Sequence, residues 1–216
     1  MQMPTTRNAT VLNHLREEIY NGSLAPGTRL RQAHVAERFG VSTTPIREAF
    51  AALEREGLLQ STAHRGVVVF RPTAHDMREI YEVRIPLEVR ATELAVPNLD
   101  RQALDKVSKL ADDITKFGRK GNLSRSNELN DEFHALIYAA ANRPRLAELI
   151  ADLRSSSKAY TQLFDTQATR IEETDKEHRE IVAACEAGAP KKAGKAVEKH
   201  LLHTLTVVAP ALEEVT

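Results

Sequence analysis

Apolar residues recur every three or four positions along most of the chain after residue 75, which is the spacing of the buried face of an α-helix. Glycine, asparagine and proline residues interrupt the pattern between successive segments. The pattern predicts six helices, at about residues 75–95, 99–117, 124–141, 144–164, 167–187 and 190–212. We therefore expect an antiparallel all-α bundle in this part of the chain.

The first 71 residues have shorter elements. Apolar positions over 11–19, 35–39 and 46–53 predict three helices, the second of them only about two turns long. Ser42 can cap the third helix, and the β-branched run 66–70 predicts a strand of a small hairpin. Three helices followed by a hairpin are the order of a winged helix-turn-helix.

The two parts meet at a short segment with boundary signals. Pro72 cannot continue a strand ladder, and Thr73 stands three residues before Asp76, the spacing of a helix-capping pair. The sequence therefore predicts a mainly α protein with two domains, 1–71 and 76–216.

Composition narrows the class of protein. Hydrophobic residues make up 42% of the chain, which is enough for a packed core. The single cysteine, Cys185, excludes an intramolecular disulfide and a cysteine-based zinc site. No apolar run approaches the roughly 18 residues of a membrane helix, and the first residues lack a signal-peptide core. We expect a cytoplasmic protein with no membrane partner.

The net charge of zero hides an uneven distribution. Residues 1–71 carry nine arginines, six glutamates and neither lysine nor aspartate, a net charge of +3, and the remainder carries −3. A positively charged first domain favours a polyanionic partner, although ordinary scatter in composition could give the same difference.

The predicted third helix offers the residue types that read DNA. Short hydroxyl side chains allow a helix N-terminus to approach phosphates, and an arginine can donate two hydrogen bonds to guanine. The best candidate for that contact is Arg47, and its alternative role is an ion pair with Glu48 or Glu54. The alternative for the helical hairpin as a whole is a role in packing alone. The candidate DNA-binding residues are Arg31, Ser42, Thr43, Thr44, Arg47, Arg65 and Gly66.

Three histidines lie on or beside the apolar faces of three predicted helices: His134, His178 and His200. Each could be an ordinary core imidazole with its own hydrogen-bond partner. A shared divalent ion such as Zn²⁺ or Ni²⁺ would satisfy all three at once, with an oxygen atom as a further ligand. Asn130 shares a helix face with His134. We interpret the other histidines as surface or DNA-facing residues: His14, His34, His64, His75 and His203.

Four runs in the first part closely resemble the GntR family of bacterial transcription regulators: residues 26–30, 35–42, 44–50 and 53–58. The resemblance implies an N-terminal DNA-binding domain, a homodimer and a C-terminal effector domain. Thr43 stands where many members carry an arginine, which shifts the expected base contact to Arg47.

The second part resembles the FCD effector domain of the FadR-like branch of this family, through residues 130–134, 140–142, 177–179 and 200–201. The resemblance implies that Asn130, His134, His178 and His200 bind a divalent metal ion. It also implies that Arg84 faces the cavity for a small organic acid. The alternative for Arg84 is a surface pair with Glu88, four residues later on the same helix.

These observations predict a transcription regulator that binds a pseudo-palindromic double-stranded DNA operator as a homodimer and responds to a small carboxylate effector beside the metal. The rival function classes are an enzyme and a metal sensor in which the ion itself is the signal. A hydrolytic metal enzyme is disfavoured because neither His-Glu-x-x-His nor Glu-x-x-His occurs in the sequence. We expect no catalytic residues.

Overall fold

The computed structural model describes residues 7–20, 22–62, 66–71, 73–163 and 167–213. They fall into two compact units. The first comprises described residues up to 71 together with 158–163, and the second comprises 73–157 together with those after 163.

The first unit contains three helices: α1 (Arg7–Tyr20), α2 (Gln32–Phe39) and α3 (Thr43–Arg55). Gly40 ends α2 with a left-handed backbone (φ 63°), and its N–H bonds back to the last turn of the helix. Glycine takes this conformation without the steric cost of a Cβ atom. The short turn that results brings α3 back across α2, as in a helix-turn-helix.

A small antiparallel sheet completes the first unit: β1 (Arg29–Leu30), β2 (Leu59–Thr62) and β3 (Gly66–Val69), in the order β1-β3-β2. The β2–β3 hairpin was expected from the sequence. The strand β1 was not, because two residues are too short to show an alternating pattern. It pairs with β3 through Arg29 opposite Val68 and Leu30 opposite Val67.

The three helices and the sheet share one apolar core. Its members come from every element of the unit and include the fully buried Leu15, Ile46, Leu53, Leu58 and Val69. The winged helix-turn-helix prediction is confirmed.

The second unit is all-α. Its helices are α4 (Ala74–Ala95), α5 (Arg101–Arg119), α6 (Leu123–Ala139), α7 (Pro144–Leu163, of which residues 158–163 are grouped with the first unit), α8 (Gln167–Glu186) and α9 (Pro190–Glu213). All six begin and end within two residues of the predicted positions, and the predicted fold class is confirmed. Thr73 caps α4 by accepting a hydrogen bond from the Asp76 N–H, at 3.1 Å. Among the described helices, none is both long and apolar enough to cross a membrane.

Helices α4 and α9 pack closely at Gly194. A Cβ atom at this position would lie 3.0 Å from Glu93 Cγ and 3.2 Å from Val89 Cγ1, tighter than ordinary van der Waals contact. The absence of a side chain at Gly194 therefore lets α4 and α9 approach each other closely beside Val89 and Glu93.

We expect Gly194→Val to destabilise the protein by about 1–3 kcal/mol, because the added side chain would force α4 and α9 apart. The matched control is Lys192→Val, which places the same residue at an exposed position of the same helix. Thermal unfolding followed by circular dichroism should show a lower melting temperature for Gly194→Val only. Equal melting of the two variants would contradict close packing at Gly194.

Candidate metal centre and nucleic-acid interface

The N-terminus of α3 presents a row of polar side chains to solvent. Ser42 occupies the N-cap position, and Thr43 and Thr44 begin the helix; all three are exposed. Arg47 follows one turn later and is also exposed, while its neighbour Ile46 is fully buried in the core. Because α3 packs on the core through its other face, its N-terminal end and the face that carries Arg47 remain exposed to solvent.

The Ser42 hydroxyl makes no capping hydrogen bond, although the residue stands at the predicted cap position. Glu54, one of the two alternative partners of Arg47, accepts a hydrogen bond from the Ser61 hydroxyl at 2.5 Å. Arg31 is exposed at the N-cap of α2.

One of the remaining two candidate DNA contacts belongs to β3. Gly66 is exposed at the start of β3 with a φ of 71°. Arg65 lies outside the described residues.

In the second unit, three histidines from three helices meet in the core. His134 of α6 and His178 of α8 have no exposed surface, and His200 of α9 is 7% exposed. Their ring centroids are 5.0 to 5.7 Å apart. One ring nitrogen from each lies within 4.8 Å of those of the other two. The structure thus brings together the three histidines that the sequence singled out.

Hydrogen bonds fix which nitrogen of His134 faces the cluster. The Tyr138 hydroxyl lies 3.1 Å from His134 Nδ1 and donates its proton to Glu88 Oε2, at 2.6 Å. Since that proton is committed to Glu88, the hydroxyl oxygen accepts from His134 Nδ1–H. The other nitrogen, Nε2, then carries a lone pair; it is buried and has no partner among the described residues.

Glu88 is fully buried and is held by two arginines as well as by Tyr138. Arg84 Nε donates to Glu88 Oε1 at 2.7 Å, and Arg154 donates to Oε2 at 3.2 Å. Burial favours the neutral acid, but the charges of Arg84 and Arg154 prevail and keep the pKa of Glu88 below its usual value. The predicted Arg84–Glu88 pair exists, but it lies in the core. The surface alternative is wrong, because Arg84 is 4% exposed and also bonds to Ser157 of α7.

His200 is held by a different carboxylate. Its Nδ1 lies 2.8 Å from Glu177 Oε2, so Nδ1–H donates to the carboxylate and Nε2 carries the lone pair. His203 donates to the second oxygen of Glu177. His203, which was expected at the surface, is 37% exposed, and the sequence did not show its contact with this buried acid. His14, His34 and His75 are exposed as predicted, and His64 lies outside the described residues.

His178 has no hydrogen bond at either ring nitrogen among the described residues. Burial lowers the pKa of His178 and of His134 well below 6.5, and the nearby charge of Arg154 acts in the same direction. Both imidazoles are therefore neutral at neutral pH, which is the form that binds metal ions.

The donor set suits a divalent metal ion. Three buried imidazoles bring ring nitrogens within 4.8 Å of one another, and two of them are oriented through Nδ1 by Tyr138 and Glu177, an arrangement typical of metal-binding histidines. A tetrahedral Zn²⁺ needs its nitrogen ligands about 3.4 Å apart, so small side-chain rotations would close the present spacing. Asn130, one turn before His134 on α6, is half-buried and can supply an oxygen ligand.

Sequence reasoning missed the charged and polar residues that surround the histidines: Glu88, Tyr138, Arg154 and Glu177. For two of them, the position in the sequence relative to a histidine could have shown that they lie near the cluster. Tyr138 stands one turn after His134 on the same face, and Glu177 precedes His178 directly. The partnership of Arg154 with Glu88 joins residues 66 positions apart, and no local pattern reveals such a contact.

Two family models match the chain. The model for bacterial regulatory proteins of the gntR family matches residues 7–69, and the FCD domain model matches residues 79–203. The first range coincides with the winged helix-turn-helix unit, and the second contains all three histidines.

Individual proteins are similar to the chain over nearly its full length. The HTH-type transcriptional regulator YdhC of Bacillus subtilis is 31% identical over 99% of this chain and 96% of its own. The HTH-type transcriptional repressor RspR of Escherichia coli is 26% identical over 96% and 90%. The solved structure of Escherichia coli McbR/YncC superposes with a TM-score of 0.70 at 25% identity, covering 95% of this chain and 98% of that one. With both family models matched in order along the sequence, the chain belongs to the GntR family as a transcriptional regulator with a C-terminal FCD domain.

Proposed function

We propose that this regulator binds a pseudo-palindromic double-stranded DNA operator as a homodimer, and that a small carboxylate effector controls its operator affinity. Residues 1–71 would bind DNA, and residues 76–216 would bind the effector and a divalent metal ion and form the dimer. It would act in the cytoplasm, without catalytic activity. Two-fold symmetry would place two copies of α3 on two related half-sites.

The metal ion, Zn²⁺ or Ni²⁺, would be held by Asn130, His134, His178 and His200. The observation that carries this proposal is that ring nitrogens of three buried imidazoles lie within 4.8 Å of one another, and that those of His134 and His178 have no hydrogen-bond partner among the described residues. Left so, each would remain a buried polar group without a hydrogen bond, which costs free energy. When bound, the ion would offer an open coordination position to an anionic effector.

Arg84, which is linked to His134 through Glu88 and Tyr138, would also contribute to effector binding. Its guanidinium is fixed by Glu88 and Ser157 and stacks over Tyr81 at 4.5 Å, so its orientation is set before a ligand arrives. A positive group that is already oriented binds a carboxylate at a lower entropic cost.

We expect His178→Ala to abolish stable metal binding, because it removes one of three converging nitrogen ligands. The control is His75→Ala, an exposed histidine at the start of α4. After dialysis, elemental analysis should find the metal in the wild type and in the control but not in His178→Ala. At a hundredfold excess over its dissociation constant, metal should stabilise the wild type by about 3 kcal/mol. Retention of both metal and stabilisation by His178→Ala would mean that the site is misassigned.

The pH dependence of metal affinity should be shifted toward acid. Protons compete with the metal for imidazole nitrogens, but burial lowers the pKa of His134 and His178 well below 6.5. The loss of metal affinity, measured by competition with a chelator of known behaviour, should therefore continue well below pH 6.5, as His134 and His178 become protonated. A loss of affinity centred at pH 6.5 would indicate exposed histidine ligands instead.

For the regulatory part of the proposal, we expect a bound carboxylate to change operator affinity about 5- to 150-fold in the metal-loaded protein. The operator would first be obtained by binding selection on randomised DNA, and affinity would then be measured by fluorescence anisotropy with and without small organic acids. Operator DNA should change the affinity for the acid by the same factor. If metal alone produced the whole change and no acid added to it, the chain would be a metal sensor.

For DNA reading, we expect Arg47→Ala to cost about 1–3 kcal/mol per half-site and to relax the preference at one base position, because Arg47 would donate to a guanine. Arg31→Ala should instead weaken binding to all sequences and lower the salt dependence by about one unit per contact. The matched control is Arg55→Ala, at the other end of α3. Selection on randomised operators decides: unchanged base preference in Arg47→Ala would exclude it from base reading.

A further inference from the structure

The guanidinium of Arg170, near the start of α8, is buried without the hydrogen bonds that a buried charge requires. Its Nε and Nη2 are shielded from solvent and have no hydrogen-bond partner among the described residues. Its Nη1 reaches only the Thr204 hydroxyl, at 3.5 Å. The side chain is 11% exposed. A buried donor without a hydrogen bond lowers the stability of the fold, and the loss is greater when the group is charged.

No nearby acid supplies the missing bonds in the described part of the chain. The carboxylate of Glu177 lies close by, but its Oε2 is 3.7 Å from Arg170 Nη2, beyond hydrogen-bond distance. Both oxygens of Glu177 already accept hydrogen bonds, one from His200 and the other from His203. Glu177 thus offsets part of the charge of Arg170 but leaves its donors free.

The two unpartnered atoms form one edge of the guanidinium, over which a carboxylate or phosphate can accept two parallel hydrogen bonds. This chain uses the same edge elsewhere. Arg16 donates from Nε and Nη2 to the two oxygens of Glu56 at 2.9 and 2.7 Å, and Arg119 does the same to Glu172 at 2.9 and 2.8 Å. In Arg170 the same edge is buried and has no hydrogen-bond partner among the described residues.

Arg170 and Arg84 are linked to the histidine cluster through different residues. Arg170 is joined to His200 through Glu177 and Thr204, whereas Arg84 is joined to His134 through Glu88 and Tyr138. The rings of His134 and His200 are stacked 5.2 Å apart. Each of these two histidines is therefore linked to a cationic side chain of its own.

Other charged side chains lie near the histidines. The guanidiniums of Arg84 and Arg154 are paired with Glu88, and that of Arg170 lies beside Glu177. Asp131, which also pairs with Arg154, is 43% exposed. Of these three guanidiniums, that of Arg170 makes the fewest hydrogen bonds.

We infer that the effector carries two anionic groups, and that Arg170 is the specificity-determining residue that binds the second of them through Nε and Nη2. This inference rests on the proposed function, in which the first anionic group binds beside the metal and Arg84. The second group can be a carboxylate or a phosphate, since both accept two hydrogen bonds from one guanidinium edge. The ligand class is therefore a small dicarboxylate or a phosphorylated organic acid.

The test compares pairs of acids that differ only in the second anionic group. Isothermal titration calorimetry on the metal-loaded full chain would use malate against 2-hydroxybutanoate and 3-phosphoglycerate against glycerate. In the wild type we expect the dianionic member of at least one pair to bind about ten- to a hundredfold more tightly, as two charge-assisted hydrogen bonds imply. The pair that shows the preference identifies the second group as carboxylate or phosphate.

Arg170→Gln should reduce that preference to near unity and leave the affinity for the monoanionic acid unchanged. The matched control, Arg179→Gln, removes an exposed arginine from the same helix and should leave both affinities as they are. Arg170→Lys keeps the charge but loses the edge that donates two parallel hydrogen bonds, so it should retain a reduced preference for the dianionic acid. The ligand-free melting temperature of Arg170→Gln should not fall, because the substitution removes an unmet buried charge.

Three results would overturn the inference. If Arg170→Gln keeps the wild-type preference, or weakens both members of a pair equally, the residue does not select the second group. If both members of each pair bind the wild type equally, the inference fails and the proposed function stands. If no acid binds the metal-loaded wild type, the proposed function fails and this inference fails with it.

Discussion

Because Glu88 is buried inside a helical bundle, its charge must be met by groups from neighbouring helices, and this requirement organises the second unit. Arg84 comes from the same helix, α4, whereas Tyr138 comes from α6 and Arg154 from α7. A buried carboxylate that loses one such partner leaves an uncompensated charge, at a cost of about 3–5 kcal/mol. The alignment of three helices is therefore fixed by hydrogen bonds as well as by apolar packing, which alone tolerates more variation.

The same carboxylate determines the chemistry of the histidines at a distance. Glu88 accepts a hydrogen bond from the Tyr138 hydroxyl, whose oxygen in turn accepts one from His134 Nδ1–H. The lone pair on Nε2 of His134 is therefore left facing His178 and His200. Glu177 does the equivalent for His200 on the other side of the cluster. Two separate acids thus hold two imidazoles in the tautomer that can bind a cation. The positively charged arginines that neutralise these acids make the surroundings attractive to an anion.

The sequence allowed the helices to be predicted closely, because glycine, asparagine and proline separate long apolar periodicities in the second unit. It also identified the three histidines, since each interrupts an otherwise apolar face. It did not reveal β1, whose two residues have no pattern of their own and become a strand only by pairing with β3. Nor did it reveal that the Arg84–Glu88 pair is buried, because the spacing of four residues is the same for pairs in the core and on the surface. Glu177 and His203 were missed for a related reason: their contact depends on the packing of α8 against α9.

The N-terminus of α3 lacks a side-chain cap, and this bears on how the helix can bind DNA. The first amide groups of any helix lack acceptors within the helix, and here the Ser42 hydroxyl does not supply one. These amides, together with the positive end of the helix dipole, form an anion-binding site of the kind that phosphates occupy. A phosphate oxygen of the DNA backbone can therefore take the place of the missing cap. In that case the nucleic acid completes the secondary structure of the protein that reads it, and part of the binding free energy is helix stability gained at the interface.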